Sequence, residues 1–333
     1  MAGESNRRGF LRDLVVQAAR GAGELIGQAQ SAMETTNDDA SPIPVDAFES
    51  PRANPTPPPN RCASLDDVSA LVDEVGLDAR LESVLALCRW SLRLNPSADA
   101  PTELPNPGGS AASPDLLQCV VELNLERLGG LGQPGLLPSV GLLGLFVQGV
   151  WSPPDTYGEH TRGCSAVWSP APAPEVPTAV AAGLTLEVAP ELTLPRLWAE
   201  PVQALGLGGD EMQAWEDLRH RLAGIQGVVV FDDALEPESL HRLLGYPDDR
   251  QGNMPLASEM LANGVELGDG PAFTHPRATE FMEGAHRWVL LAQLSDDRRL
   301  GWSWGRGDER LYMWIHEAKL AARDFANVLA FVQ

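Results

Sequence analysis

Residues 301–305 read GWSWG, a literal G-x-S-x-G. In that pattern a serine on a strand-to-helix turn attacks an acyl carbon, with an acid and a histidine supplied later in the chain. Only His316 and Asp324 remain downstream as such partners, and the residues after Gly305 read as a hairpin strand, so a tight turn flanked by tryptophans is the expected structure. His160 and Cys164 are the closest His/Cys combination, and the four cysteines, Cys62, Cys88, Cys119 and Cys164, contain no C-x-x-C. Zinc sites pair their ligands at short spacings, so no metal is expected. Scattered thiols suit a reducing cytoplasm. The pairs Asp232/Asp233, Asp248/Asp249 and Asp296/Asp297 are adjacent rather than alternating about a glycine, so they read as solvated turns and not calcium loops. Lys319 is the single lysine and follows no glycine-rich loop, which leaves neither Schiff-base nor Walker-type chemistry. No cofactor is expected.

A binding reading is better supplied with residues. Tyr246, Gln251, Asn253, Gln293, Trp302 and Trp304 combine flat aromatic surface with neutral hydrogen-bonding groups, the mixture of a recognition patch. The plainer alternative is that Trp302 and Trp304, two apart on one sheet face, pack on the core.

The elements that must position these residues are densest in the last quarter of the chain. Residues 288–294 (WVLLAQL) have the length and composition of a buried strand. Residues 300–304 and 310–315 alternate around a Gly-rich segment and read as a β-hairpin, 316–324 as a short helix, and 327–332 as a final strand. Upstream, Ser64 is an N-cap for a helix over 65–75, Gly76 ends it, and 78–89 repeats the apolar stripe, a helical hairpin. Strands are expected over 116–123, 142–150, 166–169, 184–188 and 228–231, and helices over 212–222 and 239–244. Strands joined by turns argue for antiparallel pairing, so the fold class is α+β, β-rich, with mainly antiparallel sheets.

The block at 243–255 (LLGYPDDRQGNMP), the run WVLLAQLSDDRRLGWSWGRGDERLYMWI and the terminal AARDFANVLAFVQ form an ordered string of motifs. In these the chain resembles the YwqG-like family, a bacterial domain of unknown function numbered 1963. Weaker agreement at 184–197 and 136–146 extends the resemblance over roughly residues 65 to 333. The family's GG-x-P-x-LP block with a following Trp-Pro is reduced here to NPGGS at 106–110. What the resemblance implies is a fold and not an activity; an immunity-type protein that neutralises a toxin is a narrower alternative suggested by acidity and family context.

The formal charge of −22 argues against a nucleic-acid partner, since phosphate binding needs clustered Lys and Arg. Residues 6–12 (NRRGFLR) resemble a twin-arginine export signal, but the longest uncharged stretch that follows, 14–19, is shorter than the apolar region of about 7 to 15 residues that export requires. No apolar run is long enough to span a bilayer. The same segment reads well as an amphipathic helix, with Phe10, Leu11, Leu14 and Val15 apolar and Arg7 and Arg8 leading it. Three destinations stay open for it: a partner protein, its own domain, or peripheral contact with a membrane face. The expected layout is a helical tail over 1–30, a disordered Pro/Ser/Asp-rich linker over 31–60 and the folded domain over 61–333. The leading functional expectation is a noncatalytic, cytoplasmic protein-binding or adaptor protein recruited through that tail to an unknown protein partner. An enzyme of unrecognised type is the alternative.

Overall fold

The structure, a computed structural model, describes residues 64–97, 117–129, 131, 135–148, 164–171, 177–224, 240–249, 254–268, 270–304 and 309–333. The expected N-terminal tail and linker, the NPGGS block, His160, the 228–231 strand, Gln251 and Asn253 lie outside the described residues.

Ser64 caps α1 (Leu65–Val75) through a reciprocal bond with Asp67, and Gly76 closes it at φ 78. A short 3-10 turn leads into α2 (Leu81–Leu87), giving the expected helical hairpin. The chain then enters β1 (Arg89–Pro96), where a helix end had been expected at 89. It continues through β2 (Leu117–Asn124), α3 (Leu125–Gly129), β3 (Leu142–Gln148), β4 (Cys164–Ser169), β5 (Ala179–Ala181) and β6 (Leu184–Thr193). Next come α4 (Glu200–Gln203), α5 (Gly209–Leu222), β7 (His241–Leu244), α6 (Met254–Ala262) and α7 (Ala278–Ala285), and last β8 (Trp288–Ser295), β9 (Arg310–His316), α8 (Glu317–Ala321) and β10 (Leu329–Val332).

All ten described strands join one antiparallel sheet in the order β10-β9-β8-β7-β1-β6-β5-β2-β3-β4. Its edge strands β4 and β10 come back towards each other, so the sheet nearly closes into a barrel. The α+β, mainly antiparallel expectation therefore holds.

Two expectations in the C-terminal region are corrected. In place of the helix expected at 239–244, His241–Leu244 is a strand between β1 and β8 with all four residues buried, and pairing on both sides outweighs local propensity. The hairpin partner of β9 is β8, not 300–304, which lies in their connection with a single bridge from Asp297 to Trp302.

Both faces of β9 are buried, in strict alternation. Leu311, Met313 and Ile315 enter the principal core inside the barrel, while Tyr312 and Trp314 enter a second core under α6 and α7. That double burial is why the strand reads as a continuous apolar run. A third core, with Trp215, Leu218 and Leu222 of α5 against Val68, Val72 and Val84, holds the helical layer of α1, α2 and α5 together.

Candidate functional site

The register across four strands builds the most unusual feature of the domain. Arg93 on β1 pairs with Arg242 on β7, Arg242 with Gln293 on β8, and Gln293 with Tyr312 on β9, so four polar side chains form one row. Two guanidiniums side by side in a buried row are stable only with carboxylates between and around them. Glu191 of β6 supplies one, 2.6 Å from Arg93 Nη2 and 3.2 Å from Arg242 Nε. The loop after β7 supplies the other: Asp248 lies 3.0 Å from Arg242 Nη2 as an ion pair and accepts from Arg219 Nη2 of α5 at 3.1 Å. Arg219 also pairs with Glu216, one turn earlier on α5. The result is an alternating chain, Arg93–Glu191–Arg242–Asp248–Arg219–Glu216, that fastens α5 to the sheet.

The backbone turns into this arrangement at Gly245, whose φ is 73 and whose missing Cβ would fall 2.6 Å from Thr193 Oγ1 and 2.7 Å from Ser91 Cβ. Only glycine fits both the left-handed conformation and that contact. Gln293 then reads the loop: its Oε1 accepts the Asp248 N–H at 2.8 Å and its Nε2 donates to the Leu240 carbonyl at 3.2 Å. Arg310 Nη1 and the Tyr312 hydroxyl both donate to the Asp248 carbonyl, at 2.7 and 2.9 Å.

Neighbouring aspartates behave oppositely. Burial works against charge on Asp248, but Arg242, Arg219, Arg196 and Arg310 outweigh it and hold the carboxyl well below the usual carboxylate range. Burial also pushes Asp249 up, and there Arg196 and the Trp198 indole offset it only in part. The solvated-turn expectation for this pair is overturned, since Asp248 is 5% and Asp249 7% exposed. Asp297, 4% exposed, corrects the third pair in the same way.

At the outer end of the network stands Trp198. Its Nε1 donates to Asp249 Oδ2 at 3.3 Å, the Arg196 guanidinium lies 5.2 Å from its ring centroid, and the indole remains 48% exposed. The segment beneath is fixed by Trp215 Nε1, which donates to the Pro195 carbonyl at 2.9 Å, and by the Leu197 N–H, which donates to Glu216 Oε1 at 3.3 Å. An exposed tryptophan held at two points has lost its conformational entropy before any partner arrives.

Gln251 and Asn253 of the expected recognition patch lie outside the described residues, and its other four residues divide between two places. Tyr246 and Gln293 join the network: the Tyr246 carbonyl accepts from Arg242 Nη1 at 2.9 Å, and Arg89 lies 4.4 Å over its ring. Trp302 and Trp304 are buried in the principal core, 5.9 Å apart, with Trp302 edge-on to His241 at 4.9 Å. Sequence reasoning missed Arg93, Glu191, Trp198, Arg219 and Arg242. The available signal was Arg93 alternating with Leu92 and Leu94 in a strand-like run.

A second polar node lies under the β8–β9 connection. The Ser295 N–H donates to His241 Nδ1 at 3.1 Å, so that nitrogen carries no proton, and Nε2–H donates to Asp297 Oδ2, also at 3.1 Å. Both ring nitrogens are thus committed to the fold. Ser303 is exposed; the two downstream residues of the G-x-S-x-G pattern serve as helix caps, His316 accepting the Ala318 N–H and Asp324 the Ala326 N–H.

Burial lowers the affinity of His241 for a proton more than Asp297 raises it. The unfolded chain therefore binds the extra proton, and the stability contributed by neutral His241 is complete above its ordinary value of 6.5 and lost as pH falls through the lower folded value. Asp249 contributes with the opposite sign, because a raised acid favours the fold as pH falls. The urea midpoint is expected to drop between pH 7 and pH 5, and His241→Gln to flatten that drop; equal slopes in the two proteins would remove His241 as its source.

Polar titratable groups do converge here, but in a narrow place. Glu191, Thr193, Arg219, Arg242 and Asp248 line a crevice with room for one water. Among the described residues no group of three or more His, Cys, Asp or Glu side chains is placed to hold a metal ion, and no helix is long and apolar enough to cross a membrane. Residues 94–333 match the domain of unknown function DUF1963. The chain belongs to the DUF1963 family. The matched region of this DUF1963 protein takes in every strand from β2 to β10 and all of the network except Arg93. No curated protein matches the chain.

Proposed function

We propose that this DUF1963 protein is a noncatalytic protein-binding protein whose contact surface is centred on Trp198. The fixed, half-exposed indole carries the reading: tryptophan and arginine anchors dominate protein interfaces, and a preorganised ring loses least on binding. The charged groups behind it are engaged with one another in an arrangement that suits a rigid support. Tyr246, at the inner end of the same loop, belongs to that support. Recruitment by the 1–30 tail on its 31–60 linker is the further part of the proposal and rests on the amphipathic pattern of Phe10, Leu11, Leu14 and Val15.

A quantitative pull-down with mass spectrometry, comparing the full chain, a chain lacking residues 1–60 and Trp198→Ala, separates the two parts. A partner lost at least about tenfold in Trp198→Ala is expected. One retained by Trp198→Ala but lost on truncation would move binding to the tail, and identical profiles for all three would reject the proposal.

A further inference from the structure

The buried ionic chain carries one proton that its own members do not take up. Glu191 Oε1 lies 3.2 Å from Arg242 Nε but off the line of its N–H, and this donor has no acceptor among the described residues although Arg242 is only 2% exposed. Buried donors are almost always paired, with protein or with ordered water. Both side chains of the pair border the crevice that has room for one water.

The crevice is held open on every side. Its apolar wall, Leu192, Leu194 and Leu222, is packed into the third core. Opposite, the turn after β7 already touches the sheet: a Cβ on Gly245 would fall 2.6 Å from Thr193 Oγ1, and the Tyr246 N–H donates to that hydroxyl at 3.0 Å. Asp248 is fixed from three elements, accepting from Arg219 of α5, pairing with Arg242 of β7 and giving its N–H to Gln293 of β8. Close-packed walls tied in this way do not collapse inward.

The lining decides the occupant. Glu191 and Asp248 share it with Arg219 and Arg242, two carboxylates and two guanidiniums, so an ion of either sign would be buried beside two groups of its own sign. Water brings an acceptor for the guanidinium and two protons for the carboxylates. We propose that the crevice is an internal water site, in which a single water accepts the Arg242 Nε–H and donates to the Glu191 and Asp248 carboxylates. This water links β6 to the loop under α5 and completes the ionic chain independently of what binds at Trp198.

NMR on the full chain, deuterated and labelled with nitrogen-15 at arginine, tests the site. The Arg242 Nε–H, assigned through its own bonded carbons and nitrogens, is expected to show cross-relaxation with water of opposite sign in laboratory-frame and rotating-frame experiments, the mark of a water held as long as the protein tumbles. The signal should persist in Ser91→Ala and in Thr193→Val. No signal, or one of the same sign in both frames, overturns a held water, and loss of the signal in either variant traces it to a hydroxyl proton and overturns it too. Sodium bromide and rubidium sulfate are compared with sodium sulfate at equal ionic strength. An Arg242 Nε shift that moves saturably with bromide or with rubidium assigns the crevice to an ion and rejects the proposal; unchanged shifts in both salts are expected.

Discussion

Asp248→Asn is expected to lower the free energy of unfolding by about 3–5 kcal/mol, the cost of breaking a buried ion pair by removing one partner. Arg219 and Arg242, 6% and 2% exposed, would lose the carboxylate they share, and Arg310 and Tyr312 would hold a loop no longer drawn to them. The same change at the next residue should behave differently. Asp249 resists ionisation in the fold, and an asparagine oxygen can still accept the Trp198 N–H, so Asp249→Asn is expected to change stability by no more than about 1 kcal/mol. Urea unfolding of both variants at pH 7, extrapolated to water, measures the difference. Equal losses would mean that the two aspartates are bound by the network alike.

Trp215→Ala is expected to cost about 3–5 kcal/mol, the range for emptying a large aromatic from a core. Trp215 is fully buried at the centre of the third core, between α1 and α5. It also holds the Pro195 carbonyl, so its loss frees the segment that carries Arg196 and Trp198. Trp215→Phe keeps most of the volume and removes that hydrogen bond. It should retain most of the stability while weakening whatever binds at Trp198. A Trp215→Phe protein that binds as tightly as the parent would show that the indole of Trp198 is positioned without the Trp215 hydrogen bond, by Arg196, Asp249 and the Leu197–Glu216 contact.

The paired variants rest on a feature that local sequence could not reveal. Arg93 and Glu191 are 98 residues apart, and Arg219 and Asp248 29 apart with other elements between them. Each looks, in its own window, like a solvent-facing charge. Asp248 and Asp249 sit in a string of turn formers whose local chemistry points to water. Their burial follows from pairing β7 between β1 and β8, which folds the 245–249 loop over the polar row and under α5. The mistaken helix at 239–244 has the same origin, because four residues carry too little period to decide, and two neighbouring strands decided for them.

Other features were legible because their causes are local. Ser64, Asp67 and Gly76 mark the start and end of α1 within a dozen residues of each other, and the short apolar, aromatic-rich run of 311–315 marks β9 whichever sheet it joins. The ordered motifs over the last quarter carried the family, and the strand-turn-strand rhythm carried the antiparallel α+β class, since both are properties of consecutive residues. Which charges are buried and which tryptophan is left exposed depends on register between strands distant in sequence. Trp302 and Trp304, in the β8–β9 connection, are taken into the principal core, while Trp198, between β6 and α4, is left half exposed, because each outcome depends on how elements distant in sequence pack around the connection.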